Sequence, residues 1–229
     1  MKTSKMLLFD IDGTLLLTGG VGKIALEAAI LELFGIPDSW GNLIPDGKTD
    51  PMIISEICFR ILKRNLMDEE YHTLCSRYHH HFENEISHAD RFRLMPGIPE
   101  LLGTLAGNPC LVMGLATGNF GKAAEMKLKR GNLDVFFSFG GFASDSEDRR
   151  HLTRIAYERG LRHCKEELPP ERVFVIGDTV HDITAGKSLG AITISVATGS
   201  TPPPVLMDQR PDYFFEDLTD AEKFLELLG

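Results

Sequence analysis

No two of the four cysteines, Cys58, Cys75, Cys110 and Cys164, stand in a Cys-x-x-Cys pair. That absence removes the zinc knuckle and the dithiol redox motif, and it leaves reduced thiols in cores and on helices as the reading. Positive charge is also short: 24 Lys and Arg stand against 33 Asp and Glu, for a formal charge of -9 at pH 7. Such a balance excludes a surface devoted to nucleic-acid phosphates, while a local positive pocket for a small anion stays open. No apolar stretch approaches the ~20 residues that span a bilayer, so no membrane partner is expected. The run from Met1 to Phe9 passes directly into Asp10 and Asp12 with no small-residue cleavage site. It therefore reads as a strand and not a secretion signal, and the cytoplasm is the expected compartment. No internal repeat or low-complexity tract is visible.

What remains is an ordinary folding chain of 229 residues, 43% hydrophobic and 25% charged. This is enough for one large α/β domain, or for a core with a modest insertion. The run Met6-Leu7-Leu8-Phe9 predicts a buried strand, and Ile24, Ala25, Ala28, Leu31 and Phe34 recur at helical spacing. Helical patterns follow at Pro51 to Lys63 and Asp68 to Ser87 with no strand between them, and Pro99 to Leu105 reads as a returning helix. Beyond Cys110 strands and helices alternate: strands at Cys110 to Ala116, Val135 to Phe139, Arg172 to Ile176 and Ala191 to Val196, helices at Phe120 to Arg130, Arg149 to Gly160 and His181 to Leu189. Pro202-Pro203-Pro204 reads as a stiff connection, and a short strand within Pro211 to Phe215 and a terminal helix at Ala221 to Leu228 close the chain.

Alternation of this kind implies a Rossmann-like α/β core, a mostly parallel sheet with helices on both faces, because parallel strands need crossover connections. The expected division is a core of residues 1–16 and 91–229 with an all-helical cap inserted at 17–90.

Three apolar strands end in polar groups whose chemistry is complementary. Asp10 and Asp12 follow the first, Thr117-Gly118-Asn119 the second and Gly177-Asp178 the third. In a parallel sheet such ends converge on one crevice. Two carboxylates one residue apart can divide labour, one attacking an electrophile while the other handles a proton. A phosphate dianion repels a carboxylate, so a cation is needed, and Asp178 can complete an oxygen-rich site that suits magnesium (Mg2+). Thr117 and the backbone N–H groups of Gly118 and Asn119 can hold phosphoryl oxygens, and Arg149, or else Arg150, can add fixed positive charge.

Asp10-Ile11-Asp12-Gly13-Thr14-Leu15 resembles the first motif of the haloacid dehalogenase superfamily in its phosphatase form. Leu115-Ala116-Thr117-Gly118-Asn119 resembles the second motif, and Gly177 with Asp178-Thr179-Val180-His181-Asp182 the fourth. Their order, with the helical insertion between the first two, is similar to phosphoglycolate-phosphatase-like members over nearly the whole chain. The resemblance implies Asp10 as a nucleophile that forms an aspartyl-phosphate, and Asp12 as the acid for the leaving oxygen and then the base for water. It implies magnesium held by the Asp10 carboxylate, the Asp12 backbone carbonyl and Asp178, with Asp182 as an outer-shell or orienting group, and phosphate bound by Thr117. The third motif departs from the family's usual lysine, offering Asp148-Arg149-Arg150 instead.

Plainer readings stand beside these. His79-His80-His81 with His72 and His88 reads as a solvated helix face, since consecutive residues point around a helix. Lys48, in Gly47-Lys48-Thr49-Asp50, either meets a substrate anion or is solvated at a helix start capped by Thr49. Gly19-Gly20-Val21-Gly22-Lys23 lacks phosphate-loop spacing and reads as a hinge. The function expected is a magnesium-dependent phosphatase of a small phosphorylated metabolite. The alternatives are a phosphosugar mutase similar to β-phosphoglucomutase and a non-catalytic binder of phosphorylated ligands.

Overall fold

A computed structural model describes residues 5–229. Residues 1–4, part of the expected core segment and of the N-terminal run weighed as a signal, lie outside the described residues. Met6 to Phe9 of β1 (Lys5–Phe9) are wholly buried, as a continuous apolar run demands of a strand covered on both faces. β1 pairs in parallel with β4 (Leu111–Ala116) on one side and β6 (Val173–Gly177) on the other. The sheet runs outward through β5 (Gly140–Gly141) beyond β4, and through β7 (Ile192–Val196) and β8 (Tyr213–Phe215) beyond β6, every pairing parallel.

Alternation along β1 assigns its two faces. Leu7 and Phe9 join Leu101 and Leu105 of α4 (Ile98–Ala106) and Phe224 of α9 (Ala221–Leu228). Met6 and Leu8 join Leu152 and Ala156 of α6 (Arg149–Cys164) and Leu189 of α7 (Val180–Leu189). Helices therefore cover both faces, as the period-two pattern of a strand requires.

A third apolar cluster lies apart from the sheet. It joins Ala25 and Ile30 of α1 (Val21–Phe34), Ile54 and Ile57 of α2 (Asp50–Leu62), and Leu74 and Phe82 of α3 (Asp68–Ser87) to Phe120 and to Ala123 of α5 (Gly121–Arg130). Where the chain leaves the sheet for these helices, and where it returns, β2 (Leu16–Leu17) and β3 (Arg93–Leu94) pair antiparallel. Two residues per strand are too few to leave a sequence pattern.

Two expectations need correction. Val135 to Phe139 does not form a strand: a 3-10 turn occupies Asp134–Phe136, and the strand is reduced to Gly140–Gly141 beside Leu115 and Ala116. The aromatic run packs on the sheet instead, with Phe137 edge-on to Phe9 at 5.9 Å. Glycine suits the shortened strand, because a Cβ on Gly140 would come 2.9 Å from the Leu115 side chain, and one on Gly141 would collide with the Leu152 carbonyl. The proline run is not merely a connection either, since Pro203 opens the helix α8 (Pro203–Asp208). Proline fits a first helical turn, where its missing N–H would find no partner in any case.

Candidate active site

β1, β4 and β6 are neighbours, so the polar groups at their carboxyl ends meet where the connections depart in different directions. Asp10 follows β1, and its N–H donates to the Ile176 carbonyl of β6 at 2.9 Å. Behind it the chain turns tightly through Gly13, at φ +81, with the Gly13 N–H donating to the Leu16 carbonyl. Glycine is required there on two counts: the left-handed backbone, and a site for Cβ only 2.5 Å from an Asp178 carboxylate oxygen. Asp178 accordingly lies against this turn, and Thr14 Oγ1 donates to its Oδ1 at 3.0 Å.

One carboxylate oxygen each from Asp10, Asp178 and Asp182 falls within 4.8 Å of the others, and all three residues are buried. Asp182 belongs to the first turn of α7, where its carboxylate accepts from the Thr179 N–H and hydroxyl in a capping box. Arg149 faces the trio. It is 8% exposed at the start of α6 and donates Nε to Asp182 at 3.1 Å, while its Nη2 lies 2.8 Å from Asp10 Oδ1 and 2.5 Å from Asp182.

One guanidinium does not balance three buried acids. Burial pushes the Asp10 carboxyl up to about 6, against the pull of Arg149 and with Asp182 and Asp12 adding to the rise. Burial, then repulsion by Asp10 and Asp182, pushes Asp178 further, to about 9. On Arg149, burial alone would lower the pKa, and the two acids reverse that and hold it raised. An all-oxygen donor set carrying surplus negative charge in a small volume suits a hard divalent cation, so the residues present fit magnesium.

Asp12 faces different partners. Its Oδ2 accepts from Asn119 Nδ2 at 2.8 Å and from Lys127 Nζ at 2.5 Å, and Lys127 also donates to Asn119 Oδ1 at 2.7 Å. Lys127 is a buried lysine of α5, with its ammonium 5.9 Å from the Phe82 ring centre. Next to this triangle the half-buried Asp50 accepts from the Phe120 N–H at 2.7 Å, and its own N–H donates to the Gly118 carbonyl at 2.8 Å. Burial pushes the Asp50 carboxyl up to about 6, with Lys127 and the Phe120 N–H pulling down and Asp12 raising it slightly. Asp50 thus ties the start of α2 to the loop after β4.

A cavity of about 630 Å³ opens over these groups. Of the residues singled out in the sequence, Asp10, Asp12, Lys48, Gly118, Asn119, Arg149 and Asp178 line it, whereas Thr117 and Asp182 stand behind the lining. The Thr117 hydroxyl is fully buried and accepts from the Asn119 N–H at 3.3 Å, which shapes the loop. Gly118 brings bare backbone beside Arg149, where a Cβ would sit 2.8 Å from Nη1. Lys48 turns its ammonium to Glu56. Of the two arginines, Arg149 reaches the buried acids, whereas Arg150 is exposed and pairs with Asp148. Among the described residues, the only cluster of His, Cys, Asp or Glu spaced for a metal is the aspartate trio, and the histidine run is not part of it.

Lys127, Asp50 and Tyr78 line the same cavity without having been singled out for the site. For Lys127 a signal existed: with Ala123, Ala124 and Leu128 it falls on the buried stripe of α5, an unusual place for a lysine without a partner.

The family model of haloacid dehalogenase-like hydrolases matches residues 5–190. The chain belongs to that family. It is thus a hydrolase, and phosphoglycolate-phosphatase-like in sequence. Phosphoglycolate phosphatase of Mannheimia succiniciproducens is 25% identical over 228 residues, covering 96% of this chain and 98% of that protein. Pyrophosphatase PpaX of Anoxybacillus flavithermus is 31% identical over 118 residues, covering 51% of this chain and 52% of that protein. The fold is shared with the crystal structure of a hydrolase from Pseudomonas syringae, at a TM-score of 0.71 and 21% identity over 98% of this chain and 99% of that one. Among the described residues, no helix is long and apolar enough to cross a membrane.

Proposed function

We propose that this hydrolase is a magnesium-dependent phosphatase acting on a small phosphorylated metabolite through an aspartyl-phosphate on Asp10. The observation that carries the reading is the placement of Asp10 within a buried carboxylate trio of surplus negative charge and 2.8 Å from Arg149, with the separately partnered Asp12 two residues along. In the first step an Asp10 carboxylate oxygen bonds to phosphorus, the ester P–O bond breaks, and Asp12 gives its proton to the departing oxygen. In the second, Asp12 takes a proton from water, whose oxygen attacks the phosphorus and frees Asp10. Arg149 and the N–H groups of Gly118 and Asn119 are placed to hold the phosphoryl oxygens, in a loop shaped by Thr117. Asp10 and Asp178, with the Asp12 backbone carbonyl, would hold the metal, and Asp182 orients Arg149. Magnesium there supplies the positive charge that lets an anionic nucleophile approach an anionic ester. Residues 17–90 serve in this reading as a cap over a core of residues 1–16 and 91–229, with Lys48 among the groups that meet the substrate.

The test is phosphate release from p-nitrophenyl phosphate with and without magnesium, by wild type and by Asp10→Asn with its folding checked by circular dichroism. Metal-dependent release that vanishes in the variant is the expected result. Full activity in Asp10→Asn would remove the nucleophile from the scheme.

A further inference from the structure

The part of the cavity lining contributed by α1, α2 and α3 has a chemistry of its own. Leu26, Ile53 and Ile54 form an apolar wall contributed by α1 and α2, with Trp40 and Pro45 beside it. Tyr78 of α3 is 5% exposed and also lines the space. Its ring is held by Phe82 and Phe120, at centroid separations of 5.7 and 6.1 Å. Its hydroxyl has no hydrogen-bond partner among the described residues. Burial, then the charges of Asp50 and Asp12, keep that phenol protonated and therefore a donor. Gly22 of α1 leaves the approach open, since a Cβ there would lie 3.7 Å from the Tyr78 hydroxyl. The hydroxyl is not among the buried side-chain atoms left without a partner, so it faces the open cavity, where an acceptor on a ligand can take the place of water.

The charges argue against a second anion deep in the cavity. Lys127 is committed to Asp12 and Arg149 to Asp10 and Asp182 in buried pairs, whereas Lys48 meets Glu56 in an exposed one. Lys23 and Arg93 are exposed, at the rim. Asp46 and Asp50 meanwhile add negative charge to the lining. A carboxylate on a short leaving group finds the two buried cations of the lining, Lys127 and Arg149, already paired with protein acids. The volume of about 630 Å³ also falls within the range, roughly 300–1,000 Å³, of pockets that enclose drug-sized ligands, and a two-carbon acid would leave most of it unfilled.

We propose that the alcohol half of the substrate is an uncharged, ring-bearing group of aryl to nucleoside size, lying on Leu26, Ile53 and Ile54 with an acceptor atom at the Tyr78 hydroxyl. The proposal rests on the phosphatase reading and narrows it. It sets this chain apart from its phosphoglycolate phosphatase relatives at the leaving-group end of the site.

The experiment compares three alkyl phosphate esters on the magnesium-loaded protein: phosphoglycolate, benzyl phosphate and a nucleoside monophosphate. Both ring-bearing esters should exceed phosphoglycolate in kcat/KM by about tenfold or more, since even single methylenes in apolar pockets discriminate on that scale. Gly22→Leu, which fills the space before Tyr78, should lower kcat/KM for the ring-bearing esters several-fold more than for phosphoglycolate. Tyr78→Phe should raise KM for the nucleoside ester about tenfold, while benzyl phosphate, which offers no acceptor beyond its phosphate, shows a smaller change. Preference for phosphoglycolate, or equal effects of Gly22→Leu on all three, would overturn the proposal. If none of the esters nor p-nitrophenyl phosphate is turned over, the phosphatase reading fails instead. Calorimetric binding to Asp10→Asn then judges the pocket independently, and tighter binding of phosphoglycolate than of the nucleoside ester would overturn the proposal there too.

Discussion

At the carboxyl edge of the sheet each acid has a fixed partner: Asp178 accepts from Thr14, Asp182 from Arg149 and Thr179, and Asp12 from Lys127 and Asn119. On the facing helices, and in the loop that leads into α2, the polar groups are held loosely. Lys48 meets Glu56 in a pair whose side chains are 31% and 49% exposed, and the Tyr78 hydroxyl has no hydrogen-bond partner among the described residues. The two regions also bury separate apolar clusters, so a substitution on the helices need not disturb the sheet. The contrast is one between chemistry and selection. Groups that must stabilise developing charge gain from being oriented beforehand, whereas groups that discriminate between leaving groups gain from being free to pair with them.

The sharpest way to break this contrast is Asp178→Asn. Without metal the substitution should leave stability unchanged or raised, because it removes a buried acid whose carboxyl is pushed to about 9 by burial and by Asp10 and Asp182, and asparagine still accepts from Thr14. With magnesium it should lower activity by more than the roughly 10- to 100-fold cost of losing an outer-shell partner, and it should abolish any rise in Tm on adding the ion. Activity and thermal melts with and without magnesium read both. Wild-type activity and an unchanged magnesium shift would detach Asp178 from the metal site.

A smaller effect is expected at Lys127, whose charge fixes Asp12 rather than touching phosphorus. Proton transfer by a placed side chain is worth roughly 10²–10⁴ in rate, so Lys127→Met, by loosening Asp12, should cost about 10- to 100-fold in kcat with little change in KM. Loss of a well-held acid hurts a poor leaving group most, so an alkyl phosphate should suffer more than p-nitrophenyl phosphate. Lys127→Arg should restore part of the rate. Equal losses on both substrates, with no rescue by arginine, would mark Lys127 as structural only.

How much of this could be read before the fold was known follows from where each residue lies. Asp10, Thr117 and Asp178 follow apolar runs, and in a parallel sheet such positions converge whatever the connections do. Their convergence and the helices on both faces were accordingly legible. Lys127 was legible only through its helical spacing with Ala123, Ala124 and Leu128, because a lysine among Lys122, Lys129 and Arg130 otherwise looks solvated. Tyr78 was hidden in a polar, histidine-rich helix whose four buried residues include it. The misread strand at Val135 to Phe139 shows the converse failure: β-branched and aromatic residues suit a strand, but tertiary packing placed Val135 and Phe136 in a 3-10 turn and left the strand to Gly140 and Gly141.

Asp50 sits on the boundary between the two regions and should give the smallest and most diagnostic effect. Its carboxyl is pushed up to about 6 in the folded chain from 3.8. Below about pH 4 it is protonated whether the chain is folded or not, and it contributes no pH dependence. Between about 4 and 6 the folded chain retains a proton that the unfolded chain releases, so stability falls as pH rises; above 6 both forms are ionised and the penalty is complete. Asp50→Asn keeps an acceptor for the Phe120 N–H but carries no charge. The variant should therefore match wild type near pH 4 and exceed it by about 1 kcal/mol at pH 7, after allowance for the partial exposure of the group. Urea titrations of both proteins from pH 4 to 7 give the difference directly, with Asp10 and Asp178 titrating in both. Parallel stability curves would mean that the carboxylate bears no burial penalty, and that the contact between α2 and the loop after β4 is wetter than this packing.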